Sequence, residues 1–183
     1  DQRPLVWVYY REDMKLLTEH YGRCIKCKLP VNDVREDTCP QCNTQIKFRC
    51  SEIQGSTRHR NAEMAKFKYT IEERAKQRQK FIDEGKSNKE IVSELGDLLK
   101  DGSEPPQTNI FICQTAAASE GINLQRGEGL LKHGSSCSIY FSRNFSLGQF
   151  LQSLARNHRT GTNEKVLVFQ LIARMMDGSD TVD

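Results

Sequence analysis

The sequence predicts an α/β protein on three observations. Short apolar runs of strand length recur along the chain, and the run from Asn109 to Gln114 is continuous enough to be a buried strand. Between these runs lie segments with helical periodicity, the best defined at residues 146–161. Two Cys-x2-Cys pairs early in the chain mark a segment that folds by metal ligation and not by burying a core.

The 183 residues suit one main domain with small insertions. A hydrophobic fraction of 37% and a charged fraction of 28% are those of a soluble globular protein. No apolar run approaches the roughly 20 residues of a membrane span, and no signal peptide is visible, so no membrane partner is expected. A strand begins almost at Asp1, as in a segment excised from a longer protein. The net charge of +3 is too small to argue nucleic-acid binding by itself. Its distribution is uneven: Arg58 to Lys80 holds eight Lys/Arg against three acids, and Asp83 to Glu104 holds three against seven. Two readings fit, a DNA footprint or helices that neutralise each other, and the second is the plainer.

In chain order, Leu5–Tyr10 is strand-like and a helix follows from about Glu12 to Tyr21. Cys24, Cys27, Cys39 and Cys42 come next, the pairs separated by eleven residues and the second containing Pro40. Two such knuckles can bring four thiolates to one tetrahedral Zn²⁺ at about 2.3 Å. Four Cys ligands make a closed, structural site, and the metal would supply folding energy on the order of 10 kcal/mol to a segment too short to have its own core. A zinc ribbon is therefore expected over 22–45. Cys113 and Cys137 lie in apolar runs and read as small buried hydrophobes.

A helical hairpin is expected over 69–106. Thr70 and Glu73 form a capping box for a helix to about Glu84, and Ser87 and Glu90 form another. The second helix has Ile91, Val92, Leu95, Leu98 and Leu99 as its apolar face, and Ser103–Pro106 closes the hairpin as a loop. Gly85, Lys86 and Ser87 look like the end of a Walker A loop, but Lys80 stands where the first glycine should be and no buried strand precedes it. A helix break with an N-cap explains the triplet. Residues 85–96 faintly match the first half of a helix-turn-helix, with no recognition helix after them.

The last helix starts at Ser146, whose capping partner is Gln149, with Phe145 and Phe150 as a hydrophobic staple. Leu147, Phe150, Leu151 and Leu154 recur at i, i+3, i+4 and i+7, the spacing of a buried stripe. Gln152, Arg156 and Arg159 fall on the opposite face, Gly161 is the expected stop, and rigid arginines so placed can meet a phosphate. An apolar run at 165–173 closes the chain.

These segments together resemble a known family. Residues 152–161, Q-x3-R-x-H-R-x-G, are similar to the last motif of superfamily-2 helicases, especially the Swi/Snf-type DNA translocases. The segment Thr115 to Leu124 resembles their motif V, with Thr115, Gly121, Asn123 and Leu124 in register and Ala118 and Ser119 in place of paired glycines. Ile53 to Thr57, with Arg60 and Phe67, resembles the family's G-[ST]…R-x6-F segment. The resemblance implies an open, mainly parallel, RecA-like sheet with helices on both faces, the second lobe of a bacterial or phage-like enzyme, spanning 1–183 with the two insertions.

It also implies roles. Arg156 and Arg159 would be arginine fingers on the γ-phosphate of ATP, and Gln152 would position the nucleotide or its attacking water. Glu120, Gly121 and Asn123 would lie on the nucleotide side. Thr115, Ser119, Gly55, Ser56 and Thr57 would contact the DNA backbone. ATP and Mg²⁺ would be held mainly by an N-terminal RecA-like lobe, because no Walker A or B motif is present in these residues, and the chain alone is expected to be inactive. The location implied is the cytoplasm of a bacterium or a phage-infected host, in association with DNA. The rival reading is a non-catalytic zinc-ribbon module that binds DNA or protein on an α/β scaffold.

Overall fold

The computed structural model describes residues 3–118, 124, 135–142, 146–156 and 165–172. Among them, five strands form one sheet: β1 (Pro4–Val8), β2 (Cys50–Ile53), β3 (Ile110–Gln114), β4 (Cys137–Tyr140) and β5 (Leu167–Gln170). Their order is β2-β3-β1-β4-β5, and every pairing is parallel. Leu5 aligns with Phe111 on one side and Ser138 on the other, so β1 is the centre of the sheet.

From β1 the chain runs outward to β2, then returns through β3 and passes β1 to β4 and β5. Right-handed crossovers then require the helix after β1 on one face and all later ones on the other. That division is seen. Met14 and Leu17 of α1 (Arg11–Tyr21) pack with Val6, Val8, Ile110 and Ile112. On the opposite face Leu5, Trp7, Ile53, Phe111 and Cys113 form the core. It is closed by Met64 and Phe67 of α2 (Arg60–Lys68), Ala118 of a short turn α5 (Thr115–Ala118), and Phe150 and Leu154 of α6 (Leu147–Leu154). The expected α/β architecture, an open parallel sheet with helices on both faces, is the one observed. None of the described helices is long and apolar enough to cross a membrane.

Both capping boxes are present. Thr70 caps α3 (Ile71–Asp83) and Ser87 caps α4 (Asn88–Leu95), each with reciprocal bonds to the glutamate three residues on. Gly85, with φ +75, breaks the chain between them, so the Gly85–Ser87 triplet is a helix break and an N-cap. The expected apolar face of α4 is shorter than its periodicity indicates. Gly96, at φ +85, ends the helix after Leu95, leaving Leu98 exposed outside it. Ile91 and Leu95 pack on Ala65 of α2 together with Tyr69 and Phe81, so the insertion is seated on α2 as well as on itself. The charged segments partly neutralise each other, Arg78 pairing with Glu104 and Lys80 with Glu84, and Asn61 donates two hydrogen bonds to Glu94. Two arginines from the basic run are buried, which the charge pattern did not indicate. Arg74 hydrogen-bonds the Pro105 carbonyl, and Arg78 reaches the Gly96 carbonyl at 2.8 Å and both Glu104 oxygens.

Candidate functional site

The four-cysteine cluster is the better-defined of two regions. Each knuckle is built alike. The N–H of Cys24 donates to the Leu29 carbonyl at 2.8 Å, and that of Lys28 returns to the Cys24 carbonyl at 3.0 Å. In the second knuckle the N–H of Cys39 donates to the Thr44 carbonyl and that of Asn43 to the Cys39 carbonyl, both at 2.8 Å. The residue after each closing cysteine, Lys28 (φ 62) or Asn43 (φ 52), takes the left-handed conformation that turns the chain back. The short bridges Arg23↔Pro30 and Thr38↔Gln45 close the two loops.

This brings the four sulfurs within 4.8 Å of one another. Cys24 and Cys42 stand 3.5 Å apart and Cys27 and Cys39 3.4 Å. A tetrahedral zinc with arms of about 2.3 Å needs sulfur–sulfur edges of about 3.8 Å, so the cluster fits such an ion with small adjustments. The Thr44 hydroxyl and then its backbone N–H bring the Cys42 thiol down to about 6, and the backbone N–H of Cys27 leads in lowering Cys24. Both effects favour a thiolate, whereas at Cys27 the lowering by the Leu29 N–H is outweighed by burial and the neighbouring Cys39 thiol, which push it up to about 12, so the four thiols do not ionise alike. Cys24, Cys27, Cys39 and Cys42 can hold a metal such as zinc. Val31 and Ile46 complete a small satellite core around them.

The ribbon is fastened to the sheet. Arg49, just before β2, donates to the Val34 carbonyl at 3.0 Å and the Glu36 carbonyl at 2.8 Å, and pairs with Asp37 at 3.3 Å. The Asn32 side chain accepts the Cys50 N–H at 3.1 Å, a main-chain donor on the outer edge of β2. Cys50 is apart from the four-sulfur set, buried against Asn32 and Thr18, and its thiol is pushed up to about 11 by burial. Cys113 and Cys137 are buried in the sheet, as their apolar settings indicate.

The second region is the rim formed by the carboxyl ends of the parallel strands. Gly55 and Ser56 are exposed in the turn after β2, and Thr57 closes that turn: its hydroxyl accepts the Gln54 N–H at 3.0 Å and its own N–H donates to the Gln54 carbonyl at 3.0 Å. Thr115 is buried, and its hydroxyl donates to the Val8 carbonyl at 3.0 Å. That side chain ties β3 to β1 at the rim. Gln114, which carries no motif signal, and Arg60 of the G-[ST]…R-x6-F segment complete the tie. Gln114 accepts the Gly55 N–H at 3.4 Å and donates to the Tyr9 carbonyl at 3.5 Å. Arg60 donates to the Ala117 carbonyl at 3.1 Å. The only sequence clue to Gln114 is a polar residue ending an otherwise apolar strand.

Ser119, Glu120, Gly121, Asn123 and Arg159 lie outside the described residues, as does Phe145. Gln152 is exposed on α6, and Arg156 is half-buried. Two expectations for this helix are corrected. Its inward face is Phe150, Ser153 and Leu154, while Leu147 and Leu151 are 66% and 53% exposed. The Tyr140 hydroxyl, 2.6 Å from the Ser153 hydroxyl, admits a serine to the core, and the Tyr140 ring lies 5.0 Å from Phe150. The helix also stops at Leu154, with the Arg156 N–H bonded three residues back to Ser153. Arg156 therefore follows the helix and does not project from its face.

A cavity of about 380 Å³ beside β2 is lined in part by Glu52, Glu63 and Lys66. Burial and then the nearby Glu63 raise the Glu52 carboxyl above its ordinary range. Ser56 and Thr57 of the turn after β2 also line this cavity.

No family model and no curated protein matches the chain. Among solved structures it is similar to the C-terminal part of the Fun30 ATPase domain, at 17% identity and a TM-score of 0.46. That match covers 93% of this chain and 35% of the other, so the chain spans about a third of the length of the protein it matches.

Proposed function

We propose that this chain is the second RecA-like lobe of a superfamily-2, Swi/Snf-type ATPase that acts on DNA, with its zinc ribbon as a structural insertion. The observation that carries this reading is order. The Gly55–Thr57 turn, the motif V-like segment from Thr115 and the helix carrying Gln152 follow β2, β3 and β4 in the sequence of the family's motifs. The first two of these begin at the carboxyl rim, where ligands of parallel α/β sheets bind.

In this reading ATP and Mg²⁺ are held in a cleft shared with an N-terminal lobe. Arg156 and Arg159 stabilise charge on the transferring phosphoryl group, and Gln152 orients the nucleotide or the water. Glu120, Gly121 and Asn123 border the nucleotide. Gly55, Ser56, Thr57 and Ser119 meet DNA phosphates, with Arg58 exposed beside the turn, and Thr115 anchors the rim beneath them. Such contacts are independent of base sequence and weaken with salt. Zn²⁺ on the four cysteines folds the ribbon, which Arg49 and Asn32 fasten to the β2 edge.

The test uses a polypeptide that joins this chain to its nucleotide-binding lobe. Arg156→Ala and Arg159→Ala should each lower DNA-stimulated ATP hydrolysis on the order of a thousandfold, while nucleotide-free DNA binding persists. Hydrolysis at the unmodified rate would remove the arginine-finger reading. The 183-residue chain alone should show no turnover.

A further inference from the structure

Tyr9 and Tyr10 follow the central strand, and their side chains are left in solvent at 36% and 55% exposure. Their rings meet edge to face, with centroids 5.0 Å apart and planes at 80°. The chain beneath them is fixed. The Tyr9 N–H donates to the Ser142 hydroxyl at 2.9 Å, its carbonyl accepts from Gln114, and the Tyr10 carbonyl accepts the Met14 N–H at 3.3 Å. Tyr10 is also the N-cap of α1 and makes no side-chain cap bond. A small polar residue would stabilise the helix better at that position, so local folding does not account for an exposed aromatic there.

The position is informative. The helix after β1 lies on one face of the sheet, and the helices after its neighbours β3 and β4 lie on the other. Such a reversal opens a crevice outside the carboxyl ends of the strands. Gln114 joins the Tyr9 backbone to the Gly55 turn, so the ring pair and the proposed phosphate contacts share one rim. Arg11 follows the pair, but Glu12 and Asp13 share that first turn of α1 and oppose a phosphate. An uncharged, flat group suits the rings better than a phosphate does.

We propose that Tyr9 and Tyr10 form a stacking platform for an unpaired nucleobase, so that the rim engages a base as well as the backbone. This rests on the DNA reading above. Stacking on aromatic side chains is indifferent to base identity but requires the base to be out of a duplex.

The experiment measures binding of the 183-residue chain to three probes at one salt concentration: an oligothymidylate, an abasic oligonucleotide of equal length, and a blunt duplex. The first two carry the same phosphates and differ in bases, so wild type should prefer the oligothymidylate by roughly tenfold. Tyr9→Ala/Tyr10→Ala should erase that preference and leave duplex binding unchanged, and Tyr9→Phe/Tyr10→Phe should keep it. Equal wild-type affinity for the first two probes would overturn the platform while leaving backbone binding intact, and so would a preference that survives the double alanine variant. No binding to any of the three would sink the DNA reading and the platform with it.

Discussion

Residues 22–49 and residues 69–108 both stand at the β2–β3 side of the sheet, and they are held together by opposite means. The ribbon gathers four thiols around a point, and Val31 and Ile46 are its main apolar filling. The helical insertion has ordinary local signals, two capping boxes and a Gly96 stop, and then buries charge: Arg78 and Glu104 face each other with side chains 11% and 4% exposed. A metal concentrates its stabilisation in one event, whereas caps, a small apolar contact and an ion pair divide theirs. The ribbon should therefore fail all at once and the helical insertion by degrees.

The largest effect expected is at the metal. Purified protein should contain one zinc per chain by elemental analysis, and Cys39→Ser or chelation should remove it. Structural zinc can contribute on the order of 10 kcal/mol to its segment, so amide protection should vanish over residues 22–46 while strands β1, β3 and β4 keep theirs. The Asn32 bond to the β2 edge and the Arg49 bonds to Val34 and Glu36 would be lost with it. Retained protection in the ribbon without metal would place its stability in the satellite core.

A smaller loss should follow in the helical insertion when Glu104 becomes Gln. Removing one partner of a buried pair leaves the other charge uncompensated, at a cost of about 3 kcal/mol. Urea unfolding should show this, and Arg78→Met/Glu104→Leu should recover most of it because neither charge then remains. If the double variant is as unstable as the single one, the Arg78 bond to the Gly96 carbonyl matters more than the pair.

The caps come last. Thr70→Ala should cost about 1 kcal/mol. At α4 the effect has a pH signature. The Ser87 hydroxyl and then its backbone N–H hold the Glu90 carboxyl below its ordinary 4.5. A carboxyl lowered in the folded state stabilises it above the unfolded value, and that contribution is lost as pH falls through the folded one. Amide protection in α4 should therefore weaken on acidification below about pH 4.5, and Ser87→Ala should flatten the dependence. An unchanged profile in the variant would assign the acid sensitivity to another group.

Much of this was legible because its causes are local. The cysteine spacing marked a four-sulfur cluster, each Thr or Ser followed by Glu three residues later marked a helix start, and the apolar run at 109–114 marked β3. The inward face of α6 was misjudged because periodicity alone gave Leu147 and Leu151 the same standing as Phe150 and Leu154. Tyr140, thirteen residues before Ser153, supplies the hydroxyl that makes a serine acceptable inside. The length of the apolar run in α4 likewise hid the stop at Gly96.

The sequence by itself determined the α/β class, the starts of α3, α4 and α6 and the four-cysteine cluster, since each depends on residues within a short stretch of chain. Only the tertiary structure decided which cations leave water, which face of α6 turns inward, and how the rim is tied. Arg78 needs Glu104, and Gln114 needs both Tyr9 and Gly55, across chain separations that no local pattern records. A buried charge or a rim hydrogen bond is stable only when its partner arrives from elsewhere in the fold, because an unpaired polar group loses its hydration without replacement.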